Sequence, residues 1–326
     1  MLPTNITHLY QGPFSKLCVD FIRYKQSQGR KYISEALGLK RFDQFTLRMG
    51  CQTNVLSKEL VDQFVELQPT EAPRNREIRR ILLKQFALYL TSLGYEAYIH
   101  PGFQQTRTTR YTPYIFSDGE LAKFFRTVDN LEPMINSPYM HLVLPVLFRC
   151  LYCCGLRISE ALALKLADVD LSEGILTIQH SKNNQERLIP LAPSLQAIAS
   201  TYAKRLHPRP NLQDYFFPAH DRTPLIRQDI VYHFRKLLWK SGIPYQGKGI
   251  GPRIHDFRHT FSVHSLRKCI AEGRDLYTAL PILSVFLGHQ SIAATEMYLR
   301  LTADSFPHIL QLVEQQSRQL FPPRET

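Results

Sequence analysis

Over residues 14–100 the apolar positions recur every three or four residues, the period of a helix with one buried face. In FSKLCVDFIRYKQSQG the residues Phe14, Leu17, Phe21 and Tyr24 fall on one stripe that stops at Gly29. REIRRILLKQFALYLTSLG repeats the pattern and closes on Gly94, a residue that tolerates the left-handed turn at a helix end. No alternation of strand type competes here, so the segment predicts a small all-helical domain with a basic helix, Arg76 to Lys84, on its surface. From Pro101 to Pro113 the chain reads PGFQQTRTTRYTP, polar and proline-bounded, which marks a linker. A domain boundary near residue 110 follows, giving domains at 1–110 and 111–326.

The second domain opens with FSDGELAKFF, where Ser117 and Glu120 have the spacing of a capping box. PYMHLVLPVLFRCLYCCG is apolar enough to be a central core helix that ends at Gly155, and the shorter ISEALALKL follows at once. ILTIQHSKNNQERLIPL then holds two β-rich runs, 175–180 and 187–191, around a polar SKNNQE, the mark of a hairpin. Helical spacing returns in RQDIVYHFRKLLWKSG, HDFRHTFSVHSLRK, LPILSVFLGH and TEMYLRLT. The expected fold is therefore mainly α with a small antiparallel β-sheet in the second domain, an α+β arrangement without internal repeats.

Charge adds a partner class. The 326 residues include 40 Lys and Arg against 28 Asp and Glu, a formal net charge of +12. Residues 1–110 hold 16 basic and 9 acidic side chains and residues 111–326 hold 24 and 19, so both domains are basic and both could touch one polyanion. Nucleic acid or an acidic membrane surface fits such a balance. The six cysteines include the CxxCC of Cys150, Cys153 and Cys154 within an apolar run, without a second Cys or His pair at ligand spacing, which reads as reduced core thiols rather than a zinc knuckle. The N-terminus lacks the basic and apolar regions of a secretory signal. Pro145 and Arg149 interrupt the best apolar run short of the ~20 residues that a membrane helix needs. A soluble, cytoplasmic protein is expected.

The candidate chemistry is densest at 254–266, IHDFRHTFSVHSL. His255 and His259 have the i, i+4 spacing of helical zinc proteases, but such sites need a glutamate where this chain has Asp256, and no third ligand stands at a recognisable spacing. Neither a metal nor another cofactor is expected. The alternative is a phosphate site: on a helix His255 and Arg258 share a face and offer an imidazole beside a forked guanidinium. CGLRISEALALKL presents Arg157 at the start of a helix, with Glu160 three residues on to hold it. Lys182 lies in the hairpin tip, His289 at the end of LPILSVFLGH, and Tyr298 nine residues later.

Taken in order, Arg157, Lys182, His255-x-x-Arg258, His289 and Tyr298 resemble the tyrosine recombinases, the phage-integrase family. CGLRISEALALKLADVDL, KNNQERLIPL, HDFRHTF and LGHQSIAATEMY each look like that family's own motifs, in its order and close to its spacing. The resemblance is specific over residues 115–300; over 1–110 it rests on helical character and basicity, similar to the family's core-binding domain. The hairpin tip departs from the pattern, with Ser181-Lys182-Asn183 where many relatives have Gly-Lys-Gly; asparagine tolerates the same turn.

The resemblance implies a metal-free, ATP-free transesterification on double-stranded DNA. Arg157 and Arg258 would hold the non-bridging phosphate oxygens, Tyr298 would attack to form a 3′-phosphotyrosyl bond, and His255 would accept its proton. Lys182 would protonate the leaving 5′-oxygen, and His289 would hydrogen-bond the phosphate. Four copies would act together on DNA, with the free protein a monomer, and the amphipathic ADSFPHILQLVEQQSRQLF after the nucleophile would dock on a neighbouring protomer. Expected phosphate contacts are Arg76, Arg79, Arg80 and Lys84 in the first domain and Arg227, Arg235, Lys248 and Arg253 in the second. Type IB topoisomerases share the chemistry, and a DNA-binding regulator without catalysis is the other alternative; the helical first domain and the tail after Tyr298 favour recombination.

Overall fold

The computed structural model describes residues 10–103, 112–135, 137–179, 186–245, 247, 251–289, 291 and 295–298. The chain divides into two compact units, Met1–Thr109 and Arg110–Thr326.

The first unit contains helices α1 (Ser15–Ser27), α2 (Ile33–Arg48), α3 (Lys58–Phe64) and α4 (Pro73–Ser92). Their apolar stripes meet in an aromatic core: Phe14 lies 5.3 Å from Phe42, Phe21 lies 5.4 Å from Phe86, and Phe42 packs edge-on to Phe64 at 5.1 Å between ring centroids. These rings are fully or almost fully buried, so each contributes the large apolar area that makes so small a helical bundle stable. Local chemistry sets the ends. Ser57 accepts from the Leu60 amide to start α3, Pro73 begins α4 where its missing N–H costs nothing, and Gly94 closes α4 at a φ of +85°.

The second unit begins with α5 (Asp118–Asp129), and the Ser117–Glu120 capping box is formed in both directions. Helix α6 (Met140–Cys153) runs through its core and α7 (Ile158–Ala163) follows. Three short strands, β1 (Val169–Asp170), β2 (Ile175–Ile178) and β3 (Arg187–Pro190), form an antiparallel sheet in the order β1-β2-β3, with Leu176 opposite Ile189 and Thr177 opposite Leu188. The sequence pattern anticipates β2 and β3 but not β1, whose two residues are too few to show a period. Helix α8 (Pro193–Leu206) is likewise additional to the expected elements, although Leu195, Ala199, Tyr202 and Leu206 carry its buried stripe. Helices α9 (Arg227–Lys240), α10 (Asp256–Ala271) and α11 (Leu276–Leu287) follow, with a helical turn at 295–298.

Helix α10 packs into the core of this unit. Phe257, fully buried, stacks on Phe116 at 5.0 Å and touches Phe124, Phe148 and Phe234. The Thr260 hydroxyl accepts from the Phe116 amide and donates to Asp256 O, a second tie between α10 and the start of the unit. Cys150 and Cys154 are buried in the same region, whereas Cys153 is exposed. Among the described residues no helix is long and apolar enough to cross a membrane.

Candidate active site

The first turn of α10 carries the centre of the site. Next to Phe257, which is locked among aromatic rings, Arg258 is 1% exposed. Its Nη1 donates to Gly155 O at 2.6 Å and its Nη2 to Leu287 O at 2.5 Å. A guanidinium so buried needs these carbonyls, because an unsatisfied buried cation is far costlier than a paired one. Burial and the neighbouring Arg157 charge nevertheless lower its pKa to about 10. Gly155 is required here: its φ is +57°, and a Cβ would come within 2.8 Å of Phe261 Cδ1 and 2.9 Å of Leu287 Cδ2.

Arg157 stands at the N-terminal boundary of α7. Its Nη2 donates to Gly288 O at 3.2 Å, the carbonyl next to the one that Arg258 holds, so the end of α11 brings the two guanidiniums together. Its other arm meets Glu160, with Nη1 to Oε1 at 2.7 Å, and its own amide donates to Oε2 at 2.9 Å. Glu160, 4% exposed, also binds Arg187 of β3, with Nη2 to Oε2 at 2.7 Å and Nη1 to Oε1 at 3.2 Å. Burial pushes the Glu160 carboxyl up, but hydrogen bonds and charge from Arg187 and Arg157 outweigh it and hold the pKa at about 2. Arg187 Nε donates to Phe286 O at 3.0 Å, which ties the sheet to α11. Arg187 is thus a site residue that the sequence pattern does not reveal.

Three histidines and the tyrosine complete the cluster. His255 precedes α10 and is exposed at the edge of the cluster; partial desolvation with the charges of Arg258, Arg157, Arg253 and Arg227 lowers its pKa below the usual imidazole value. His289, just beyond α11, shares a hydrogen bond through Nδ1 with Thr295 Oγ1 at 2.8 Å; burial, Arg258 and Arg157 lower it to about 4. Tyr298 is 1% exposed, packed beside Val263, Leu266, Leu283 and Leu287, with its ring nearly parallel to that of His289 at 6.2 Å. Burial raises its pKa, partly offset by hydrogen bonds with Ser262 and Arg258 and by the Arg258 charge. His259 is a further partner of the hydroxyl, with its Nδ1 3.0 Å away. That histidine, suggestive of a metal in the sequence, has its partner 39 residues further on. Among the described residues no three His, Cys, Asp or Glu side chains gather as a metal site.

The structure therefore gathers Arg157, His255, Arg258, His289 and Tyr298 with Glu160, Arg187 and His259, a cationic concentration around one polar centre. Lys182 and Lys248 lie outside the described residues, as does the segment ADSFPHILQLVEQQSRQLF. In the first unit, Arg76 donates to Val65 O at 2.8 Å beneath Phe103, Arg79 pairs with Glu71 and the carbonyls of Phe64 and Glu66, and Arg80 pairs with Glu77 at 2.7 Å. Lys84 is exposed. In the second unit Arg227 and Arg235 are exposed, the latter against the Tyr245 ring, and Arg253 lies 3.9 Å from Asp256.

The model of the phage integrase family matches residues 126–304. The protein y4rB of Sinorhizobium fredii, named as an integrase/recombinase, is 28% identical over 88% of this chain and 92% of its own. Among solved structures, the integrase of the Tn1549 transposon in complex with a circular intermediate DNA superposes with a TM-score of 0.62 at 17% identity, covering 87% of this chain and 93% of that one. The XerH site-specific recombinase bound to its palindromic difH substrate gives 0.60 at 18% identity, covering 87% and 79%. At such identities the structures establish a shared fold.

Proposed function

The chain belongs to the phage integrase family of tyrosine recombinases, enzymes that break and rejoin DNA, and from that premise we propose that it recombines specific sites of mobile or chromosomal DNA through a covalent 3′-phosphotyrosyl intermediate. The observation that carries this reading is the pairing of Arg157 and Arg258 on the adjacent carbonyls of Gly288 and Leu287, with Tyr298 buried beside Arg258. Two preorganised guanidiniums are what a pentavalent phosphoryl transition state needs when its extra charge has to be neutralised by side chains alone.

In this mechanism the Tyr298 oxygen attacks the phosphorus while Arg157 and Arg258 donate to the non-bridging oxygens. His289, steadied through Thr295, and His255, at the start of α10, border the same anion. Lys182 protonates the departing 5′-oxygen. Because one phosphodiester is exchanged for another, the bond energy is retained and the strands can rejoin without ATP. Glu160 and Arg187 keep Arg157 in place before substrate arrives, which removes an ordering cost from the chemical step.

The first unit acts as the core-binding domain and the second as the catalytic domain, both on one duplex. Exposed Lys84, Arg227, Arg235 and Arg253, together with Lys248, supply phosphate contacts, while Arg76, Arg79 and Arg80 combine any such contact with their protein partners. A free monomer assembles on DNA into a tetramer, with the segment after Tyr298 docking on a neighbour. The DNA carried by XerH and the Tn1549 integrase in their structures supports duplex DNA as the partner. Incubating the protein with a plasmid that carries two copies of the DNA flanking its gene tests the reading. Recombinant product from the wild type, and none from a folded, DNA-binding Tyr298→Phe variant, is the expected result; product from that variant would contradict it.

A further inference from the structure

The function proposed above leaves His259 without a task, yet its imidazole, alongside Ser262 and Arg258, is in hydrogen-bond contact with the reacting oxygen. Its Nδ1 is 3.0 Å from the Tyr298 hydroxyl oxygen, within the range for proton transfer, and the two rings lie 5.6 Å apart. Both side chains are buried, 8% and 1% exposed, so bulk water has little access to the phenolic proton. His255, one helical turn earlier, presents its ring edge-on to His259 at 4.7 Å. The spacing that resembles a zinc motif thus serves to set two imidazoles on one face of α10, the second of which meets the tyrosine.

We propose that His259, rather than the His255 to which the family resemblance gives this step, is a catalytic residue of strand cleavage, the base that takes the phenolic proton of Tyr298 as its oxygen attacks phosphorus. This role rests on Tyr298 being the nucleophile. The new bond joins Tyr298 Oη to phosphorus, and the bond from phosphorus to the 5′-oxygen breaks with its electron pair on that oxygen. The phenolic proton moves to Nδ1 of His259, whose Nε2 carries the ring's own proton, and the 5′-oxygen receives a proton from Lys182. In rejoining, the imidazolium returns its proton to the tyrosine oxygen as the phosphotyrosyl bond breaks.

The surroundings explain when the transfer becomes favourable. Burial and the charges of His255, Arg258, Arg253 and His289 lower the His259 pKa to about 3, so at neutral pH the ring is uncharged and its lone pair is available. The same surroundings make it too weak a base to ionise Tyr298 at rest, and Tyr298 is itself harder to ionise than a free tyrosine. A phosphodiester seated between Arg157 and Arg258 places an anion within this cationic field and offsets it, which raises the basicity of His259. Proton removal is then coupled to the arrival of DNA, and the resting enzyme keeps its nucleophile protonated.

The test uses the full chain and a duplex nicked beside the cleavage position, so that each adduct is trapped after one turnover. In His259→Asn the amide Oδ1 can still accept the tyrosine hydrogen bond but cannot take its proton; His259→Ala serves as the companion. We expect both variants to bind the duplex as the wild type does and to form the phosphotyrosyl adduct about 100-fold more slowly or worse. Replacing Tyr298 by a fluorinated tyrosine, whose phenol is more acidic, should recover much of the loss in His259→Asn. Wild-type cleavage by His259→Asn would overturn the proposal and leave His259 as a positioning residue, as would a defect that the fluorinated tyrosine does not relieve. An adduct that persists in Tyr298→Phe would instead overturn the nucleophile assignment beneath it.

Discussion

Arg157 and Arg258 grip neighbouring carbonyls, Gly288 O at 3.2 Å and Leu287 O at 2.5 Å, so the last turn of α11 sets the separation of two guanidiniums that come from different helices. The second guanidinium also spans to Gly155 O at 2.6 Å. A lysine keeps the charge at that position but cannot reach two carbonyls and a phosphate oxygen with a fixed fork. Arg258→Lys is therefore expected to slow adduct formation by about 100-fold or more while DNA affinity is largely retained. Single-turnover cleavage measured beside a DNA-binding titration checks this.

Gly155→Ala should damage the fold at the same point. The backbone there has a φ of +57°, and the added methyl would meet Phe261 at 2.8 Å and Leu287 at 2.9 Å. Strain and overpacking together should cost about 2–4 kcal/mol. A lowered Tm of the whole protein, with cleavage diminished in parallel as Gly155 O moves from Arg258, is the expected outcome.

Glu160 gives the site an acid-dependent stability. Its folded pKa, about 2, is below the usual carboxylate value of 4.5, so the stabilisation is fully present above about pH 4.5 and is lost as the pH falls towards 2. Glu160→Gln removes a charge that two arginines share, and its Tm should fall furthest below that of the wild type at neutral pH. The gap should narrow as the pH falls from about 4.5 to about 2. Thermal unfolding of both proteins across that range would show a constant gap if the carboxylate did not matter.

DNA affinity should fall linearly in the logarithm of salt concentration. Removing one phosphate-binding side chain, exposed Lys84 or Arg227, should make that dependence shallower by about 0.9 in slope. Lys84→Ala and Arg227→Ala, titrated with duplex DNA at several salt concentrations, are expected to weaken all sequences alike. An unchanged slope would remove that residue from the interface.

Much of this architecture is written in local patterns. The helical stripes of α1, α4, α6 and α10, the Ser117–Glu120 cap and the β2–β3 pair follow from spacing that involves neighbours a few residues apart. Arg157, His255, Arg258, His289 and Tyr298 are legible because each stands in a recognisable short motif. Arg187 is not, since an arginine in a short strand has the pattern of a solvent-facing position and its carboxylate partner is 27 residues away. His259 misleads for a related reason: its spacing to His255 is local, but its contact with Tyr298 is made by the fold. The basic face of α4 shows the same limit. Glu71 and Glu77, together with the carbonyls of Phe64, Val65 and Glu66, occupy arginines that the sequence alone presents as open charge.

Every step of the proposed chemistry depends on Tyr298 becoming covalently joined to DNA. Rapid denaturation of the protein with plasmid carrying the DNA that flanks its gene, followed by protease digestion and mass spectrometry, should yield a DNA 3′-phosphate on the peptide containing Tyr298, absent from Tyr298→Phe. DNA attached to any other residue, or an adduct undiminished in Tyr298→Phe, would contradict the account.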